Sequence, residues 1–215
     1  MIVMNDFKAE PLEMRQAMLS AVARVLESGW YVLGKEVLAF EAQWAKACDL
    51  DYAVGVGNGM DAIEIALRSL DIGPGDEVIT TPMTAFASVL AILRAGATPV
   101  LADIDPSTGL LAINSVKRCI TPNTKAVLLV HLYGQVRNMD AWVALCDERG
   151  IKLIEDCAQS HLAAWHGKVA GSFGVAGAYS FYPTKNLGAP GDAGMLVTSN
   201  QVMAERAAKL RNYGQ

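Results

Sequence analysis

The chain opens with two stripes of apolar residues at helical spacing. Met14, Met18, Val22 and Val25 recur every three or four positions, and Ser28-Gly29 closes the run. Val37, Phe40, Trp44 and Ala47 form a second stripe of the same period. Beyond Leu50 the pattern changes to short apolar runs separated by helical segments. The runs predict strands at Tyr52–Val56, Glu77–Thr80, Thr98–Ala102, Ala126–Val130, Lys152–Glu155, Ala178–Tyr182 and Met195–Thr198. Helices are expected between the first five, at Met60–Leu70, Ala85–Ala95, Ala112–Cys119 and Met139–Arg149. Gly73-Pro-Gly-Asp76 and Gly150 supply helix-to-strand turns.

Near-continuous apolar strands alternating with helices predict an α/β fold. A mostly parallel mixed sheet of about seven strands should carry helices on both faces. The glycine-rich stretch from Gly167 to Gly177 has no helical period, so the last strands are free to join antiparallel. No repeat, low-complexity tract or linker interrupts the chain. The expected organisation is an N-terminal helical segment, residues 1–50, packed on a main domain of residues 51–215.

Composition narrows the partners. Hydrophobic residues make up 52% of the 215 and charged residues 19%, with a net charge of −4. The basic residues are scattered, which argues against nucleic acid. The longest apolar run, Ala85 to Leu93, is too short to span a bilayer. Met1–Glu10 shows no basic segment followed by an apolar stretch, so a cytoplasmic protein is expected. Cys48, Cys119, Cys146 and Cys157 lack C-x-x-C spacing and read as reduced, buried thiols. His131, His161 and His166 offer no metal-binding spacing, so no metal is expected.

In an open parallel sheet, ligands bind beyond the carboxyl ends of the strands. Three such ends carry candidate chemistry. After Val56 comes Gly57-Asn58-Gly59-Met60-Asp61-Ala62, where glycines and the free amides of a helix start suit an anion such as phosphate. The Gly55, Gly57 and Gly59 spacing is not the dinucleotide fingerprint, and no acid ends the second strand, which disfavours nicotinamide. Strand Lys152–Glu155 ends at Asp156, whose carboxylate would suit a protonated pyridine nitrogen. Ala178–Tyr182 runs into Pro183-Thr184-Lys185, where a crevice would make a lysine nucleophilic toward an aldehyde. Each also has an ordinary explanation: a tight turn, a cap, a surface lysine. Together they meet the demands of pyridoxal 5′-phosphate (PLP), which needs its phosphate held, its ring protonated and its aldehyde bound.

These stretches resemble the DegT-type nucleotide-sugar aminotransferases, PLP enzymes of the aspartate-aminotransferase fold type. The matching segments are Ser28–Gly34 with Phe40-Glu41, Gly57–Ala62, Gly73–Ile79, Glu155–Gln159, Ser180–Gly188 and Arg211–Gly214. The resemblance implies that Lys185 is the Schiff-base lysine and that Asp156 pairs with the pyridinium. It also implies that Gln159 bonds the ring hydroxyl oxygen and that Ser180 meets the phosphate with the Gly59 and Met60 amides beside Asn58. Tyr31 would approach the sugar-binding region.

The family usually has an aromatic directly after the threonine at position 84, stacked on the ring. Here Ala85 stands there and Phe86 follows, so either Phe86 stacks or it belongs to the core of the next helix. His161 fits the family's pattern, and Leu162 replaces a usual glycine. The resemblance further implies an amino-acid donor, glutamate, a nucleotide-linked keto-sugar acceptor and a homodimer. It implies a smaller C-terminal domain that a chain ending at Gln215 lacks. Two rivals remain: a truncated, catalytically impaired PLP-binding domain, and a PLP-dependent sugar dehydratase, whose relatives carry histidine in place of the lysine.

Overall fold

A computed structural model describes residues 5–215. The chain divides into two compact units, Met1–Phe40 and Glu41–Gln215. The first holds helix α1 (Leu12–Ser28), which ends on Gly29 in the left-handed region (φ 66°). No residue of α1 is buried; Met14 and Val22 are exposed, while Met18 and Val25 are half-buried. Helix α2 (Lys35–Ala47) begins before the boundary and ends beyond it.

The second unit is built on strands β1 (Tyr52–Val56), β2 (Glu77–Thr80), β3 (Thr98–Leu101), β4 (Thr124–Val130), β5 (Lys152–Asp156), β8 (Ala176–Ser180) and β9 (Gly194–Thr198). They form one sheet in the order β1-β9-β8-β5-β4-β2-β3. Pairing is parallel from β3 through β8, and β9 runs antiparallel to both its neighbours. Because β9 alone is reversed, β1 regains the direction of the majority. Six strands therefore deliver their carboxyl ends to one edge. A two-stranded hairpin, β6 (Ala164–Trp165) and β7 (Lys168–Val169), occupies the glycine-rich stretch after β5.

Side chains alternate across the sheet, as the two-residue period of a strand requires. Val78, Leu128, Ile154, Ala178 and Leu196 face one core with helices α3 (Gly59–Ser69), α4 (Phe86–Ala95) and α7 (Gln201–Leu210). Ile79, Val127, Leu129, Leu153, Tyr179 and Val197 face the other, with Trp44 of α2, Val116 of α5 (Ile113–Cys119), and Met139, Trp142 and Leu145 of α6 (Met139–Arg149). Each fully buried Leu or Ile contributes about 1.5–3 kcal/mol. Helix ends follow local chemistry. Asn58 caps α3 by accepting from Asp61 N (2.9 Å), Asn200 caps α7 through Met203 N (3.0 Å), and Gly96 and Gly150 close α4 and α6 at positive φ. Among the described residues no helix is long and apolar enough to cross a membrane.

Candidate active site

The carboxyl edge of the sheet holds a cleft at the ends of β4, β5 and β8. Its walls include Thr84, Ala85, His131, Asp156, Gln159 and Lys185. Lys185 reaches it from a turn after β8, where its backbone N–H donates to Tyr182 O at 2.8 Å. β8 and β5 are neighbours, so the lysine and the aspartate come from adjacent strands.

Asp156 is 7% exposed. A carboxylate so deep needs donors. Oδ1 accepts from Ala158 N (3.1 Å), and Oδ2 accepts from the hydroxyl of Ser88 on α4 (2.7 Å). Glu155, its neighbour, points to the opposite face of the sheet and is fully buried. It bonds the backbone N–H groups of Gly171, Phe173 and Gly174 and His131 Nε2, each at 2.8 Å. One strand end thus supplies a side chain to the cleft and another that pins the loop leading into β8. Gln159 accepts from Tyr133 N through Oε1 at 2.9 Å, which leaves its amide N–H groups as donors to a ligand.

At the neighbouring strand ends lies an amide cradle. Asp61 N is taken by Asn58 Oδ1 and Ala62 N by Asn58 O, so the α3 amides left for a ligand are those of Gly59 and Met60. Gly59 is pressed against the end of β8: a Cβ there would lie 2.7 Å from Ser180 Cβ. The start of β9 closes in as tightly, since a Cβ on Gly194 would fall 2.2 Å from Asn58 O. Asp61 shares this corner; burial pushes its carboxyl up, and Arg94, 3.6 Å away, opposes that push. His161 Nε2 lies 2.9 Å from Ser180 O, with the ring set among Trp44, Tyr179 and Phe181. Burial holds its pKa below the ordinary value.

Of the residues named from sequence, Lys185, Asp156 and Gln159 line one cleft. Asn58, Gly59 and Met60 follow β1 at the start of α3, and Gly59 packs against Ser180 at the end of β8. Phe86 is not brought to the cleft. Helix α4 starts at Phe86 with Ala85 extended as its cap, and it is Ala85 that lines the cleft while Phe86 is 69% exposed. Tyr31 lies in the first unit, exposed, with its hydroxyl 3.5 Å from Leu26 O. Leu162 adopts φ 57°, the left-handed region where glycine is unstrained, which accounts for a glycine preference at that position. The sequence patterns do not single out Thr84, Ser88 or the Glu155–His131 pair. A lone serine four residues after Thr84, in a helix that is otherwise apolar up to Arg94, is the one signal that points to Ser88.

A parallel sheet with one reversed strand, offering lysine, aspartate and a helix start at its carboxyl edge, is the large-domain architecture of the PLP-dependent aminotransferases. Residues 13–215 match the DegT/DnrJ/EryC1/StrS aminotransferase family, and the chain belongs to that family. It is 48% identical over 209 residues to a dTDP-3-amino-3,4,6-trideoxy-alpha-D-glucose transaminase of Streptomyces venezuelae, covering 97% of this chain and 55% of the relative. It is 41% identical over 213 residues to a UDP-N-acetyl-3-dehydro-alpha-D-glucosamine 3-aminotransferase of Acidithiobacillus ferrooxidans, covering 99% and 58%. Among solved structures, S. venezuelae DesV in complex with a ketimine intermediate superposes with a TM-score of 0.94 at 48% identity, covering 98% of this chain and 57% of that one. NtdA from Bacillus subtilis with bound cofactor PMP gives 0.85 at 31% identity, covering 92% and 44%. The chain spans 44–58% of the length of these relatives.

Proposed function

We propose that this chain is the cofactor-binding part of a PLP-dependent aminotransferase that moves an amino group from an amino acid, glutamate, to a nucleotide-linked keto-sugar. The observation that carries this is Lys185 and Asp156 on the walls of one cleft, one strand apart. The residues fit the cofactor. Gly59 and Met60 amides with Ser180 suit a phosphate, Gln159 offers donors to a ring oxygen, and Asp156 has an anionic carboxylate for a ring nitrogen. When bound, PLP supplies an aldehyde that carries nitrogen and a ring that accepts electrons.

The chain's own groups do the rest. Lys185 Nζ would hold the aldehyde and, once displaced by the donor's amine, would be free to move a proton at the substrate carbon. Asp156 holds a proton at the ring nitrogen, an electrostatic contribution that grows as water is excluded. A lysine at position 185, rather than histidine, favours amino transfer over dehydration. Transaminases for dTDP- and UDP-linked sugars among the relatives support the nucleotide-sugar acceptor. The reading extends to a cytoplasmic homodimer, which light scattering of the purified protein tests for its oligomeric part.

Borohydride reduction in the presence of PLP, followed by peptide mass spectrometry, tests the assignment. A pyridoxyl group on Lys185, lost in Lys185→Ala, is expected. Labelling that is absent or scattered over surface lysines refutes it.

A further inference from the structure

Ser88 is fully buried in α4, yet its hydroxyl does not turn back to its own helix. Serines inside helices commonly bond the carbonyl one turn earlier. This one reaches out of α4 to β5, 2.7 Å from Asp156 Oδ2, and lies 2.8 Å from Thr84 Oγ1. The chemistry fixes the direction of both bonds. An ionised carboxylate only accepts, so Ser88 spends its proton on Asp156, and Thr84 must donate to Ser88. Thr84 is half-buried on the wall of the cleft, beside Asp156 and Lys185. A two-hydroxyl chain therefore starts at the ligand side and ends on the carboxylate.

We propose that Thr84 and Ser88 are positioning residues for the reaction. They form a hydroxyl relay that fixes the plane of the Asp156 carboxylate and supports its charge opposite the ring nitrogen of PLP. The inference rests on the cofactor reading above. With Ser88 on Oδ2 and Ala158 N–H on Oδ1, both oxygens are held before a ligand arrives, so little reorganisation remains at binding. The charged and titratable groups around Asp156 are Lys185 and His131 on the cleft walls, with Glu155 and Cys157 on its own segment. None of these donates to its oxygens among the described hydrogen bonds, which leaves the relay and one amide as the holders.

The test is PLP titration of the wild-type protein, freed of cofactor beforehand, and of Ser88→Ala, Ser88→Thr and Thr84→Val treated alike. It reads the dissociation constant and the pH profile of the bound cofactor's visible absorbance. Loss of a hydrogen bond to a charged group predicts PLP binding weakened about tenfold or more in Ser88→Ala. The pH profile should move by about one unit in that variant. Ser88→Thr, which keeps the hydroxyl, should restore both, and Thr84→Val should show a smaller change of the same sign. Wild-type binding and profile in Ser88→Ala would overturn the proposal. So would a Ser88→Thr variant as impaired as the alanine, since packing rather than the hydroxyl would then be at work. If Ser88→Ala does not fold, Thr84→Val decides, and a wild-type profile there refutes the relay. Failure of the wild-type protein itself to form the borohydride-trapped adduct sinks the cofactor reading and this inference with it.

Discussion

Removing the Glu155 side chain should cost more stability than any other single truncation at the carboxyl edge. The carboxylate is fully buried and is bonded by Gly171 N, Phe173 N, Gly174 N and His131 Nε2, all at 2.8 Å. Glu155→Ala leaves three backbone donors without an acceptor in a place that water reaches poorly. Each stranded donor costs about 1–3 kcal/mol, so the sum is roughly 3–9 kcal/mol before the lost His131 contact is counted. Whole domains are stable by about 5–15 kcal/mol, so this variant should sit at or beyond the edge of folding. Glu155→Gln is milder. Its amide oxygen still serves Phe173 and Gly174, but its NH₂ meets the Gly171 N–H donor to donor, for a loss of about 2–4 kcal/mol. Urea denaturation followed by circular dichroism gives the global change, and hydrogen exchange at residues 171–174 gives the local one. A Glu155→Ala protein with an unchanged urea midpoint and protected Gly171–Gly174 amides would refute the account of this loop.

Gly194→Ala should destabilise the protein by about 2 kcal/mol or more, because the new methyl meets backbone rather than a movable side chain, 2.2 Å from Asn58 O. The same variant should weaken PLP binding through displacement of the α3 amides, measurable by fluorescence titration. His161 is held below its ordinary pKa of 6.5, first by burial. The unfolded state then binds the extra proton first, so stability is fully present above about pH 6.5 and falls as pH drops through that value. Urea midpoints between pH 7.5 and 5.5 should show this slope, and His161→Gln should flatten it. Burial pushes the Cys157 thiol well up and the Cys146 thiol up to about 12, while Cys119 is only partly buried. Iodoacetamide under native conditions should mark Cys119 and leave Cys48, Cys146 and Cys157 for the denatured chain; mass spectrometry of the alkylated peptides decides it.

Much of the architecture was legible because it rests on local pattern. The apolar runs ending at Val56, Thr80 and Val130 were each found as strands, and Asn58 before a helical stripe announces the start of α3. What escaped depends on tertiary approach. Strand β8 begins at Ala176 and ends at Ser180, two residues earlier at each end than its apolar run suggests. Gly177 explains the shift. It admits the Gly171 backbone to within 2.4 Å of where a Cβ would stand, a close approach that the apolar pattern does not encode. Helix α7 carries a signal in its Asn200 cap and its Met203, Ala204 and Ala207 face, but it lies after β9, outside the strand–helix alternation that the apolar runs define. At the site, the shared cleft of Lys185 and Asp156 was legible from strand-end position, and Gln159 joined them only through the family resemblance. Ser88 was not, because its partner lies 68 residues away in the sequence. Phe86 escaped for a subtler reason: moving a helix start by one position exchanges the residue that faces the cleft for the one that faces solvent.

The reversed strand also sets a timetable. In the sheet order β1 neighbours only β9, so the first strand to be synthesised waits for the last before it has a hydrogen-bonding partner, from Tyr52 against Thr198 to Val56 against Gly194. Pairings so distant along the chain form slowly. On the ribosome, the segment bearing the Gly59 and Met60 amides thus emerges early yet gains its sheet anchor only near residue 198. Until then β1 remains an unpaired, partly apolar edge exposed to the nascent chain's neighbours.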